Sequence, residues 1–164
     1  MTVTCAPADT LLALVVRRLE VAETVAAAKW SSGRPVEDRA REAAVVAAAA
    51  ARARRAGIDA TFVCRVMAAQ IEASKIVQRG LLARWRDEPG SAPTSRPELS
   101  GVRSTLDAID EELVAALAAP GLLGSCRGQA REDSDGLRRR ALVFTCGTRL
   151  GTTWLRGRAL PDAG

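Results

Sequence analysis

Apolar residues between about position 10 and position 118 recur three and four apart, the spacing of amphipathic helices, and strand-like alternation is nearly absent. Asp9 or Thr10 can cap a first helix that runs to about Trp30, where S31-S-G-R-P35 breaks it. Pro35, Glu37 and Asp38 mark a second start, with acids facing the positive end of the helix dipole. Arg52, Arg54 and Arg55 before Gly57 mark its end. A third helix opens at Asp59, with Ile58 and Val63 placed to staple it, and persists to about Arg86 before Pro89. Residues 87 to 98, rich in proline, glycine and serine, read as a linker. The fourth helix spans about Ser100 to Ala118 on a stripe of Val102, Leu106, Ile109, Leu113 and Leu117, and Pro120 and Gly121 end it. Beyond it the pattern weakens, with a charged helix expected near 127 to 150. The prediction is an all-α single domain over 1–164, with 121–164 as a C-terminal extension.

Several polar residues interrupt these stripes. Arg18 and Lys29 are eleven positions apart, a net rotation of about 20° at 3.6 residues per turn, so both project from one helix face. Val21, Ala22, Val25 and Ala26 lie between them on that face. Cations in a stripe that should be dry call for an anion, because an unpaired buried charge is costly. On the third helix the row Phe62, Val66, Gln70, Ser74, Gln78, Leu82 carries three polar side chains. Taken alone, it reads as a solvated helix edge. On the second helix Arg41 shares a face with Ala44, Val45 and Ala48, beside Asp38 and Glu42, and in isolation this reads as an exposed ion-pair arrangement. Arg103 alone would be an ordinary surface arginine. Together, three helices that set Arg or Lys beside short polar groups on partly apolar faces could enclose a pocket for a small polyanion, since arginine grips carboxylates bidentately.

Composition narrows the chemistry. The chain has no histidine and no tyrosine, which excludes Ser-His-Asp and Cys-His catalysis, histidine metal ligation and a histidine base. A net charge of +5 favours an acidic ligand, but three Trp and two Phe are too few and scattered for a base-stacking platform, so nucleic acid is not expected. No stretch reaches membrane-spanning length. Cys5, Cys64, Cys126 and Cys146 contain no CxxC pair, and no metal or cofactor is expected. Cys64 reads as a small hydrophobe. A Cys126–Cys146 bridge would close a loop of about 20 residues, worth roughly 3 kcal/mol in an oxidising compartment. The N-terminal residues lack a basic region followed by an apolar stretch, so either the protein is cytoplasmic or a leader has been removed.

The spaced set Arg18, Lys29, P35-V-E-D38-R-A-R41-E42 and Q70-I-E-A-S74-K-I-V-Q78 resembles the all-helical chorismate mutase family. The segment L99-S-G-V-R103-S-T-L-D107-A-I-D110-E-E-L113 resembles that family's arginine-bearing helix. In the small intracellular members that helix comes first; here it follows the linker, which is similar to the exported subclass, where each chain builds a complete site and carries extra C-terminal helices. The runs V21-A-E-T-V-A-A-A-K29-W and S91-A-P-T-S-R-P-E-L-S100 are similar to that subclass too. The resemblance covers residues 11 to about 118. Exported members carry glutamate where this chain has Gln78, which is similar to the intracellular members, and their C-terminal disulfide has wider spacing than Cys126 to Cys146.

The resemblance implies a pericyclic conversion of chorismate to prephenate without proton transfer, covalent intermediate or cofactor. Arg18, Arg41 and Arg103 would clamp the two carboxylates, with Ser74 adding a hydrogen bond. Lys29 and Gln78 would reach the ether oxygen, and Glu42, with Asp38 nearby, would receive the ring hydroxyl. It also implies a homodimer and a secreted or periplasmic location, with a cytoplasmic one as the alternative. Rival readings are an isochorismate pyruvate lyase of the same fold and a non-catalytic helical protein that binds an anionic partner.

Overall fold

The structure, a computed structural model, describes residues 6–119, with side chains from residue 9 onward. It contains four α-helices: α1 (Ala6–Ser32), α2 (Arg39–Arg55), α3 (Ala60–Asp87) and α4 (Leu99–Leu117). A short 3-10 turn, Pro89–Ser91, lies in the segment expected as a linker. No described residue is in a strand. The expected tail helix, the Pro120–Gly121 stop, the extension from 121 to 164, Cys5 and the Cys126–Cys146 bridge lie outside the described residues.

Local chemistry accounts for most boundaries. Asp38 is the N-cap of α2, its carboxylate accepting the Arg41 N–H at 3.1 Å, so Pro35 and Glu37 precede the helix rather than begin it. Asp59 caps α3 by accepting the Thr61 N–H at 2.8 Å. Ile58 and Val63 meet in the core beside it, as a hydrophobic staple should. Between α2 and α3, Gly57 takes φ +69°, and the Ile58 N–H returns to the Ala53 carbonyl at 3.0 Å. Only glycine adopts this left-handed geometry without a Cβ penalty. α1 begins earlier than its Asp9 or Thr10 signal, at Ala6.

α1 packs on α3 and α4, and α2 packs on α3 and more lightly on α4. Leu11 and Val15 meet Val63, Val66 and Met67, and the same cluster gathers Ala49 and Ala53 of α2 with Leu113, Val114 and Leu117 of α4. The early halves of α1 and α3 therefore meet the late halves of α2 and α4, so α1 and α3 run one way and α2 and α4 the other. A second apolar cluster, Ala26, Ala27, Leu82 and Trp85 with Trp30 against it, closes the other end of the α1–α3 pair. Trp30 and Trp85 meet edge to face, with ring centroids 5.9 Å apart. Cys64 is partly buried on α3. The stretch between the two clusters, where α1 and α3 carry their polar residues, is left for something other than apolar packing.

Candidate active site

That stretch is a cleft with about 680 Å³ of empty space, part of it open to solvent. α1 lines it with Arg18, Ala22, Val25 and Lys29, one helical face at intervals of three and four. α2 adds Asp38, Arg41, Glu42 and Val45; α3 adds Ile71, Ser74, Lys75 and Gln78; α4 adds Leu99, Arg103, Leu106 and Asp110; Val36 of the α1–α2 connection completes the lining. All eight residues given site roles from the sequence border this cavity, whereas Gln70, the third polar residue of the α3 row, does not line it.

Two local readings need correction. The α3 polar row is not a solvated edge: Gln70 is 0% exposed, Ser74 8% and Gln78 5%. It faces α1 and the cleft because the apolar residues one turn before and after it are claimed by the two clusters. Nor is the α2 arrangement merely a surface ion-pair set, since Arg41, Glu42 and Asp38 turn toward partners on α3 and α4 across the cavity.

Arg18 lies at the floor, 3% exposed. Its Nε donates to Asp110 Oδ1 at 2.7 Å, and Nη1 donates to the Ser74 hydroxyl at 2.9 Å and the Gln70 carbonyl at 3.2 Å. A buried guanidinium is tolerated because a buried carboxylate and two further acceptors hold it. Toward the mouth, Arg103 Nη2 donates to Asp38 Oδ2 at 2.8 Å, and Arg41 donates to Asp107. These two pairs are partly exposed and correspondingly weak.

Lys29 differs from the other cations. Its Nζ donates to the Val36 carbonyl at 2.6 Å, and it forms no ion pair with a described carboxylate. Burial lowers its pKa from the ordinary lysine value, opposed by the negative charges of Asp38, Glu37 and Glu42 and reinforced slightly by Arg103. Gln78 is similarly uncommitted, because its buried Oε1 has no hydrogen-bond partner among the described residues. Oxygen and nitrogen ends of a glutamine have nearly the same shape, so a half-turn of the amide offers its N–H₂ to the same point. The buried Asp110 Oδ2 also lacks a partner.

The sequence reading missed two charged lining residues. Asp110 is an acid four positions after Leu106 and three before Leu113, a charge inside the apolar stripe of α4, the same signal that drew attention to Lys29. Lys75 is the chain's only lysine besides Lys29. Its Nζ donates to Glu42 Oε2 at 3.1 Å and pairs with Glu72. Among the described residues no His, Cys, Asp and Glu group of metal-binding kind is assembled, and no helix is long and apolar enough to cross a membrane.

The bundle and its cleft define a helical protein whose cavity is lined by five cations, three acids and one glutamine amide. Residues 9–79 match the family model described as chorismate mutase type II. The chain is 36% identical over 112 residues to a protein of Mycolicibacterium smegmatis named secreted chorismate mutase, covering 68% of this chain and 62% of that one. It is 36% identical over 100 residues to the secreted chorismate mutase of Mycobacterium tuberculosis, covering 61% of this chain and 50% of that one. The matched part thus spans about half to three fifths of those relatives' length. The crystal structure of chorismate mutase from Burkholderia thailandensis superposes with a TM-score of 0.69 at 31% identity, covering 87% of this chain and 98% of that one. The chain belongs to the chorismate mutase family.

Proposed function

We propose that this chain catalyses the rearrangement of chorismate to prephenate. The observation that carries the reading is the charge pattern of the cleft: Arg18, Lys29, Arg41, Lys75 and Arg103 line it against Asp38, Glu42 and Asp110, an excess of two positive charges that complements a dicarboxylate. Among the described residues Lys29 is the one of those cations with no carboxylate partner, and Gln78 on the facing helix has a buried Oε1 without a hydrogen-bond partner.

The reaction breaks a C–O bond as a C–C bond forms, and the ether oxygen gains negative charge on the way. It needs a folded substrate held in near-attack geometry and donors directed at that oxygen, with no general base. Arg18, with Ser74 beside it, takes one carboxylate at the floor. Arg41 and Arg103, tied to half-exposed acids at the mouth, exchange those partners for the other. Lys29 and Gln78 stabilise the developing charge on the ether oxygen, and Glu42, near Asp38, accepts the ring hydroxyl. Fixed donors in a partly desolvated cleft act more strongly than water would and need no reorganisation at the moment of reaction.

The same reading takes residues 1–120 as the site-bearing part, 121–164 as an extension, a homodimer as the assembly, and export as the destination, in keeping with relatives named as secreted proteins. The test is a chorismate depletion assay followed by identification of the product, with isochorismate in a parallel arm. Prephenate from chorismate supports the reading; release of pyruvate from isochorismate without prephenate formation refutes it in favour of a lyase.

A further inference from the structure

Lys75 lines the cleft, yet the chemistry above gives it no task. Its side chain is 10% exposed, and its ammonium spans Glu42 of α2 and the half-exposed Glu72 one turn back on α3. Glu42 is held from the opposite side as well: Oε1 accepts the Asp38 N–H at 3.2 Å while Oε2 accepts from Lys75 at 3.1 Å. Two elements, the N-terminus of α2 and the middle of α3, therefore pin one carboxylate and leave each oxygen a further lone pair.

This arrangement answers an electrostatic difficulty. A carboxylate on the wall of a cleft built for a dianion would repel it, and more strongly in a partly desolvated site than in water. Asp38 is met by Arg103 in the empty cleft and stands at its half-exposed mouth, where solvent screens it once Arg103 turns to the substrate. Glu42 has no arginine partner among the described residues, and Lys75 is the cation that meets it. Lys75 is itself committed to two acids, so it is poorly placed to grip a substrate carboxylate. The outer acid, Glu72, is in water and largely screened.

We infer that Lys75 is a positioning residue, which neutralises Glu42 and fixes its orientation so that the α2–α3 wall accepts a hydroxyl without repelling the substrate's carboxylates. The inference rests on the mutase reading. Hydrogen bonds to Glu72 and Glu42 hold the Lys75 pKa above the ordinary lysine value against the cost of burial.

Steady-state kinetics of the full chain with chorismate would test this for wild type, Lys75→Met, Lys75→Arg, Glu42→Gln and the double variant Glu42→Gln/Lys75→Met. Lys75→Met is expected to raise KM about tenfold, the factor that corresponds to about 1.4 kcal/mol, with a smaller change in kcat. Lys75→Arg keeps the charge and should return KM to near the wild-type value. In the Glu42→Gln background the Lys75→Met penalty on KM should shrink to less than about twofold, because no carboxylate remains to be neutralised. A purely structural lysine would instead lower the melting temperature and leave KM unmoved. An unshifted KM in Lys75→Met, or the same penalty in both backgrounds, overturns the role. If Lys75→Met does not fold, Lys75→Gln is read in the same way. An inert wild type refutes the mutase reading and this inference with it, whereas an active wild type with an unshifted variant refutes only the inference.

Discussion

Replacing Lys29 should remove catalysis while leaving the fold intact, a combination that a structural lysine would not produce. A full positive charge about 3 Å from an oxygen that gains roughly half a negative charge contributes about 3 kcal/mol at an effective dielectric of about 20. That agrees with the roughly 10² to 10³ in kcat lost when one oxyanion donor is removed from other enzymes. On the stability side the terms oppose each other. The variant loses the 2.6 Å hydrogen bond to the Val36 carbonyl, but it also removes a buried ammonium that no described carboxylate pairs. The net change should stay within about 1 kcal/mol, a shift of a few degrees in melting temperature. Lys29→Met keeps most of the stem volume and serves beside Lys29→Ala. The assay follows the loss of chorismate absorbance at saturating substrate, with thermal melts of the same preparations. Either variant retaining more than about one tenth of the wild-type kcat would refute Lys29 as the ether-oxygen donor. A loss of rate matched by a loss of folded protein would refute the argument as well.

The pH profile should show an alkaline limb that belongs to Lys29. Burial lowers its pKa, so the charge needed for catalysis is lost on raising the pH before a free lysine would lose it. Lys29→Arg should remove that limb, as read from kcat/KM between about pH 7 and 11. The sign for stability is opposite. The unfolded chain binds the Lys29 proton more tightly, so the cost of burying the charged form is present in full below the lowered pKa and fades as pH rises toward the ordinary lysine value. Gln78→Glu should place an acid beside the developing negative charge and make turnover fall as that acid ionises. Wild-type activity, by contrast, should be flat from about pH 5 to 8 because an amide keeps its donors throughout. A wild-type rate that drops steeply across that range would count against Gln78. Asp110→Ala should destabilise the fold by about 3 kcal/mol or more in urea titrations, since it leaves the Arg18 guanidinium buried without its carboxylate. A cost below about 1 kcal/mol would mean that Ser74 and the Gln70 carbonyl suffice.

The fold was legible in this sequence because its boundaries are set by local chemistry. Asp59 with the Ile58–Val63 staple, and Gly57 after three arginines, act within a few residues and need no knowledge of what packs against them. The start of α1 was less legible: Asp9 looks like a cap, but the helix already begins at Ala6. At the site, residue types and spacings on α1 were readable from one stripe, because Arg18 and Lys29 interrupt it visibly. The partners were not readable. Arg18 meets Asp110, 92 positions later, and Lys75 meets Glu42, 33 positions earlier, and no period along a single helix encodes which face of another helix arrives opposite. The α3 row misled for the same reason: Gln70, Ser74 and Gln78 look solvated when α3 is considered alone and become a buried wall only when α1 covers them.

The two apolar clusters explain why a polar cavity can be tolerated between the helices and why it can be rigid. Leu11, Val15, Met67 and Leu113 anchor one end of the stretch that bears the site, and Ala26, Ala27, Leu82 and Trp85 anchor the other. The helices that supply donors at the floor are therefore held on both sides of Arg18 on α1 and of Ser74 and Gln78 on α3, while Lys29 sits within the second cluster's stretch, between Ala27 and Trp30. Close-packed apolar contacts transmit little slack, so the side chains between them are held to a narrow range of positions. The Val36 carbonyl, whose residue lines the cavity and packs against the second cluster, fixes the Lys29 ammonium. The proposed rearrangement moves no proton and so depends on where the charges of the cleft stand before the substrate arrives, a placement that follows from apolar packing at the two ends of the cleft.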